Sequence, residues 1–161
     1  MHENLNQIID QVRTELLKSP EHIVIGKIKD AAELDESAKI IASDYRKVLN
    51  LFDGARCGAI DLWSYADLRQ YQFRVSDVEG GPNAWIEIGQ VLYEPLLLDR
   101  AKGSVYLLNT DREQLRLLAD NLQSFLKNDV FGPGYAKLFP DCEHDDWYLF
   151  LRKMGLVYLE G

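Results

Sequence analysis

The feature of this sequence that most constrains its fold is a pair of apolar runs separated by a polar turn. Residues 96–98 form the first run, residues 99–103 form the turn, and residues 105–108 form the second run. A short polar loop that ends in glycine is typical of a β-hairpin, because glycine readily adopts the backbone conformations that such turns need. We therefore predict two antiparallel strands here, within an antiparallel sheet.

Helical patterns precede this hairpin. Between residues 5 and 16 the apolar side chains recur at spacings of three and four, which predicts an amphipathic helix to about Lys18. A second helical pattern begins after Asp30, a good N-cap, and continues to Asp53-Gly54. It is either one helix or two helices broken near Ser43.

Short strand patterns lie between these helices and the hairpin. Residues 23–28 are either an extended connector or a small strand, and residues 57–63 alternate as in a strand. Ser64 is placed to cap a helical turn over residues 65–72. A further strand is predicted over residues 85–89, after the break that Gly80-Gly81-Pro82 introduces.

Helical patterns return after the hairpin. Thr110 or Asp111 is predicted to cap a helix that ends near Asn128, followed by a helical turn at residues 135–139 and a last helix between Asp146 and Gly155. The stripe of the first of these helices comprises Leu115, Leu118, Leu122, Phe125 and Leu126. Helices, then strands, then helices indicate one α+β domain over residues 1–161.

The charge balance restricts the classes of partner that the protein is expected to bind. The 161 residues carry 18 Lys and Arg against 26 Asp and Glu, a formal charge of −8. This excess repels nucleic acid and anionic membranes and favours a basic protein partner. Cys57 and Cys142 are predicted to be free thiols, and no leader or 18-residue apolar run is visible. We therefore expect a cytoplasmic protein; its oligomeric state is left open.

No residue pattern indicates catalysis or a cofactor. Residues 141–146 are dense in potential metal ligands, but we favour an acidic helix start, because carboxylates stabilise the positive end of a helix. Cys142 and His144 are two positions apart and would not face each other on a helix. We predict neither an enzyme nor a bound metal or cofactor.

The candidate binding residues are aromatic and acidic side chains on neighbouring strands. If Ile86 and Ile88 face the core, Trp85 and Glu87 lie on the opposite, exposed face. Aromatic anchors with carboxylates suit an interface with a basic protein. The alternative is that Trp63 and Trp85 are core residues. The predicted partner-binding set is Asp61, Trp63, Tyr65, Trp85 and Glu87.

Three stretches resemble the SUKH superfamily, which includes bacterial immunity proteins and a yeast regulator of cell-wall glucan synthesis. They are residues 43–49 with Asp53-Gly54, the stretch from Trp85 through residues 96–99 to residues 103–106, and residues 119–126. Ala42 departs from the Leu-Pro that is usual before the first stretch. The resemblance implies a curved, mainly antiparallel sheet flanked by N- and C-terminal helices, and one protein partner without a catalytic centre.

In the bacterial branch the implied partner is a toxin domain, often a nuclease or deaminase, which the immunity protein neutralises inside the cell. The yeast branch implies the alternative function, a regulatory scaffold that binds an endogenous cellular protein. The acidic composition agrees with the first expectation, since a domain that acts on nucleic acid is commonly basic.

Overall fold

A computed structural model of the protein describes residues 4–18, 20–34 and 43–157. They form an open, seven-stranded antiparallel sheet with helices at both ends of the chain, which confirms the predicted α+β class. Within the described residues, no helix is both long enough and apolar enough to cross a membrane.

The helices and strands follow one another as a simple meander, in which each strand pairs with the next. The α-helices are α1 (Leu5–Leu17), α2 (Ser43–Leu49), α3 (Gly81–Ala84), α4 (Leu122–Ser124) and α5 (Asp146–Lys153). The strands are β1 (Gly26–Ile28), β2 (Ala55–Cys57), β3 (Ile60–Leu62), β4 (Trp85–Val91), β5 (Glu94–Asp99), β6 (Val105–Asn109) and β7 (Gln114–Ala119). The 3-10 helices are Pro20–Val24, Leu68–Asp77, Pro133–Lys137 and Cys142–His144, and a π-helical segment, Phe125–Val130, continues α4.

The central hairpin is confirmed as β5 and β6. The carboxylate of Asp99 accepts from the backbone N–H groups of Ala101 (2.8 Å) and Lys102 (3.1 Å). Gly103 follows with a φ of 78°, a backbone conformation that residues other than glycine rarely adopt. Asp99 and Gly103 together explain why the chain reverses here.

Both terminal helices also form as predicted. The side chain of Asn4 caps α1 by accepting from the Gln7 backbone N–H at 2.9 Å, and the apolar stripe of α1 is buried. The carboxylate of Asp145 caps α5 through the N–H groups of Trp147 and Tyr148. The acidic segment 141–146 thus begins a helix, the alternative that the sequence favoured.

The helix predicted from Thr110 or Asp111 is wrong in its first half. The side chain of Asn109 accepts from two backbone N–H groups of the following turn, and Glu113 has a φ of 52°. Both features reverse the chain, so β7 pairs antiparallel with β6. Helix begins only at Leu122, where the side chain of Asn121 accepts from the Ser124 N–H.

Three smaller predictions also differ. The strand predicted over residues 57–63 is the hairpin of β2 and β3, because Gly58 turns the chain with a φ of 62°. Residues 31–34 are not helical, and residues 35–42 of that prediction lie outside the described residues. The helical turn expected at residues 65–72 is the longer 3-10 helix Leu68–Asp77.

The main core lies against one face of the sheet. Buried strand residues pack there with buried residues of α1, α2, α5 and the π-helical segment. Its largest fully buried side chains include Trp147, Tyr135, Phe52 and Phe125. We call the opposite side of the sheet the outer face. Cross-strand pairing places Glu87, Leu97, Tyr106 and Leu117 there in one row, and Asp61, Gln90 and Pro95 in another.

Candidate functional site

The outer face is covered over only part of its area. The 3-10 helix Leu68–Asp77 packs against β4 and buries Val75 and Leu97 outside the main core. Farther along the same row of the sheet, Leu117 is 51% exposed. The outer face therefore has a covered half, at β4 and β5, and an uncovered half, at β6 and β7.

Gln72 attaches the 3-10 helix to the sheet. Its side-chain Nε2 donates to the carbonyl oxygen of Glu87 at 2.8 Å, and its Oε1 accepts from the backbone N–H of Glu87 at 2.9 Å. A side-chain amide that pairs in this way forms hydrogen bonds with the backbone N–H and C=O of one β4 residue, as a neighbouring strand would. These two hydrogen bonds fix the position of the 3-10 helix against β4.

The carboxylate of Glu87 is completely buried and fully bonded. Arg74 donates from Nε to Oε1 and from Nη2 to Oε2, both at 2.8 Å, while Trp63 Nε1 donates to Oε2 at 2.7 Å. Trp63 is stacked on Tyr71, with ring centroids 3.8 Å apart. Such bidentate, charge-assisted pairing is what makes burial of a carboxylate tolerable.

The prediction that Glu87 is exposed is therefore wrong. A register shift between Glu87 and Gly89 interrupts the alternation of β4, and the 3-10 helix covers the face that the sequence pattern left open. Trp63 is only 9% exposed, so the alternative that made it a core residue is the correct one. Both side chains are buried against the 3-10 helix and are not accessible to a partner.

Asp61 joins the same polar network. Its carboxylate accepts from Gln90 Nε2 at 3.0 Å, and Gln90 Oε1 accepts from Arg74 Nη2 at 3.4 Å. The structure thus connects Asp61, Trp63 and Glu87, three of the predicted binding residues. Asp61 keeps partial exposure at the polar end of the outer face.

Trp85 and Tyr65 lie apart from this network. Trp85 is partly exposed, packs edge-to-face on Tyr106 at 5.3 Å and donates from Nε1 to the carbonyl oxygen of Glu79. Tyr65 is partly buried against the main core, and its backbone N–H donates to the carboxylate of Asp53 at 2.7 Å. Trp85 therefore belongs to the outer face, and Tyr65 to the chain segment that leaves β3.

A groove of about 550 Å³ lies where the covered and uncovered halves of the outer face meet. Phe73 and Leu115 stand on its two sides and are 68% and 38% exposed. Exposed apolar side chains that line one concave surface are typical of a binding site. The lining residues are Phe73, Arg74, Asp77, Val78, Glu79, Pro95, Leu108, Thr110, Glu113 and Leu115.

The groove is acidic. Asp77, Glu79 and Glu113 contribute exposed carboxylates, whereas the charge of Arg74 is balanced by Glu87. Within the described part of the chain, none of these three carboxylates forms a salt bridge with a Lys or Arg. The arrangement suits a partner that presents apolar and basic side chains together.

Sequence reasoning missed the groove because its two sides come from distant parts of the chain. Phe73 lies in a segment without a clear period, and Leu115 was assigned to a helix. Glu87 between Ile86 and Ile88 was the available signal, since a carboxylate inside an apolar strand needs a cationic partner when it is covered. That partner, Arg74, was not predicted.

Of the two neighbouring groups with nucleophilic potential, the thiol of Cys142 is buried and His144 lies at the surface. Cys142 Sγ lies 2.8 Å from the carbonyl oxygen of Phe139, and burial raises the pKa of this thiol. His144 is exposed, with Nε2 3.9 Å from Glu143. Among the residues that the structure describes, no group of three or more His, Cys, Asp or Glu could hold a metal ion.

No protein-family model matches the sequence, and no curated protein matches it. The resemblance to the SUKH superfamily therefore stays a prediction. Function is inferred below from the outer face, its groove and the charge of the chain, with that resemblance as an additional expectation.

Proposed function

We propose that the protein is a non-catalytic binding module that recognises a basic protein partner through the groove of the outer face. The observation that carries this proposal is the exposure of Phe73 and Leu115 beside the carboxylates of Asp77, Glu79 and Glu113. Buried apolar anchors contribute most of the affinity of an interface, and complementary charge at its rim accelerates association.

The finer proposal is an immunity protein that acts in the cytoplasm and neutralises a bacterial toxin domain. Two features support it: the resemblance to the SUKH superfamily and the net charge of −8. A toxin that cleaves or deaminates nucleic acid needs a basic surface, and an acidic protein that covers this surface blocks access to the phosphate backbone.

The test is co-expression with the product of the neighbouring gene, since immunity genes adjoin their toxin genes. Protection of growth and a complex at low salt are the expected results. We expect the double variant Asp77→Lys/Glu113→Lys to slow association by about tenfold, because rim charges act mainly on the association rate. The matched control is Glu33→Lys/Glu143→Lys, which changes the net charge by the same amount at two exposed positions that do not line the groove.

Each part of the proposal can fail separately. Equal association rates for the double variant and the control would remove the groove from the interface. Absence of both protection and complex would reject the immunity function. Specific binding to a purified endogenous regulator, with no effect of the toxin, would favour the regulatory scaffold instead.

A further inference from the structure

The last strand of the sheet has an uncovered edge. In the described residues no strand pairs with β7 on the side away from β6, and residues 114–117 are all exposed. The opposite edge differs: β1 has three residues, and a Cβ on its Gly26 would contact the ring of Trp147. Only the β7 edge thus offers a long open row of backbone groups among the described strands.

The usual protection of an edge strand is weak in β7. Native edges are blunted by proline, by lysine or by very short strands, whereas β7 has six residues and no proline. Its charged residue, Arg116, donates to the carbonyl oxygen of Lys137 at 2.9 Å. A register shift near Val105 and Tyr106 interrupts the pairing of β7 with β6 only at the C-terminal end of β7.

The side chains of β7 continue the apolar part of the outer face. Leu115 pairs with Leu108, which also lines the groove, and Leu117 pairs with Tyr106. A strand added beside β7 would place alternate side chains next to Leu115 and Leu117 on this face. Backbone pairing and groove contact are therefore compatible in one extended segment.

We propose that an extended segment of the basic partner adds to the sheet as a strand beside β7 and directs apolar side chains over Leu115 and Leu117. This inference rests on the proposed function and specifies how the partner is held. Strand addition supplies affinity through main-chain hydrogen bonds and specificity through alternate side chains.

Charge selects this occupant over a second copy of the chain. Glu113 precedes β7 and Asp120 follows it, and both are exposed. Antiparallel pairing of two copies centred on Arg116 and Leu117 would place Glu113 of one copy near Asp120 of the other. Two chains of net charge −8 would also repel each other, whereas lysine or arginine at the ends of a partner strand would meet these carboxylates.

The test uses the full chain and three short probe peptides. The first has lysine at both ends of a segment in which threonine and valine alternate, the second has glutamate in place of lysine, and the third is this lysine–valine peptide methylated at every backbone nitrogen. We expect the first to bind and to slow amide exchange in residues 114–117. Methylation should weaken binding by about tenfold or more, because the lost main-chain hydrogen bonds each contribute a fraction of the affinity.

The outcomes separate this inference from the proposed function. If the methylated peptide binds equally well, or if exchange in β7 is unchanged, strand addition is overturned while the acidic groove can still bind a basic partner. If the glutamate peptide binds as well as the lysine peptide, the charge complementarity of the proposed function fails. If no peptide binds, strand addition by a basic segment is rejected.

Substitutions supply a second readout. Leu117→Lys should weaken lysine–valine peptide binding by about tenfold, since it removes an apolar contact and places a cation beside the cationic strand. Leu149→Lys is the matched control, because Leu149 is similarly exposed but lies on α5 and not in the sheet. Equal loss in both variants, or a dimer of the free chain that Leu117→Lys abolishes, would overturn the choice of occupant.

Discussion

At the scale of single residues, Glu87 shows how a charged side chain can belong to the interior. Its carboxylate accepts from Arg74 and Trp63, while its backbone pairs with Gln72. These contacts join β4 to the 3-10 helix that forms one wall of the groove. In the proposed function Glu87 acts indirectly, by holding the segment of Phe73 in place.

We predict that Glu87→Gln lowers the free energy of unfolding by about 3 kcal/mol, because breaking one side of a buried ion pair leaves the other charge uncompensated. The partial exposure of Arg74, whose side chain is 23% accessible, keeps the loss at the lower end of the usual range. Urea denaturation measures the effect. Glu143→Gln, at an exposed position, should change stability by less than about 0.5 kcal/mol.

An equal, small loss in both variants would show that the pair between Arg74 and Glu87 contributes little. The sequence alone could not have placed this pair. Glu87 alternates with Ile86 and Ile88 as a surface residue of a strand does, and only the position of the 3-10 helix determines which face is covered.

At the scale of elements, α1 and β7 mark the limits of sequence reasoning. The stripe of α1 has a single interpretation, because its apolar residues fit the helical period and Asn4 caps its start. Leu115, Leu118 and Leu122 fit the same period, yet the first two lie in β7. The turn that begins at Asn109 decides between helix and strand. The leucine spacing alone predicts a helix, because it contains no sign of this turn.

The tight turn between β2 and β3 offers a prediction at this scale. Gly58 has a positive φ, and a Cβ there would meet the Tyr135 hydroxyl and Cβ of Trp147. That hydroxyl accepts from the Ala59 N–H at 2.9 Å and donates to Asp145 at 2.8 Å, so the turn is tied to the cap of α5. Substitution at Gly58 should therefore disturb both elements.

We expect Gly58→Ala to cost about 3 kcal/mol of stability, the sum of left-handed backbone strain and overpacking. Gly81→Ala is the control: Gly81 also has a positive φ, but no atom lies within 4 Å of its added Cβ. It should cost about 1 kcal/mol, the backbone strain alone. Thermal or urea unfolding compares the two, and equal losses would contradict the packing of Tyr135 and Trp147 against this turn.

At the scale of the whole molecule, the two faces of the sheet differ in what they contact. One face holds the main core. The outer face has a covered half, which is structural, and an uncovered half with exposed leucines, and the acidic groove lies where the two halves meet. The α+β class, the central hairpin and both terminal helices were predictable because each has a local signal. The groove was not, since it depends on how residues 73–79 and β7 come together across the sheet.

The central claim is that the groove of the outer face is the surface that contacts the partner. Hydrogen–deuterium exchange of the protein, free and bound to the product of the neighbouring gene, tests it most directly. We predict slower exchange on binding in residues 73–79 and 108–117. The groove between α1 and α5, which includes Glu15 and Phe150, should be unchanged. Protection confined to α1 and α5, with none in β7 or residues 73–79, would contradict the account.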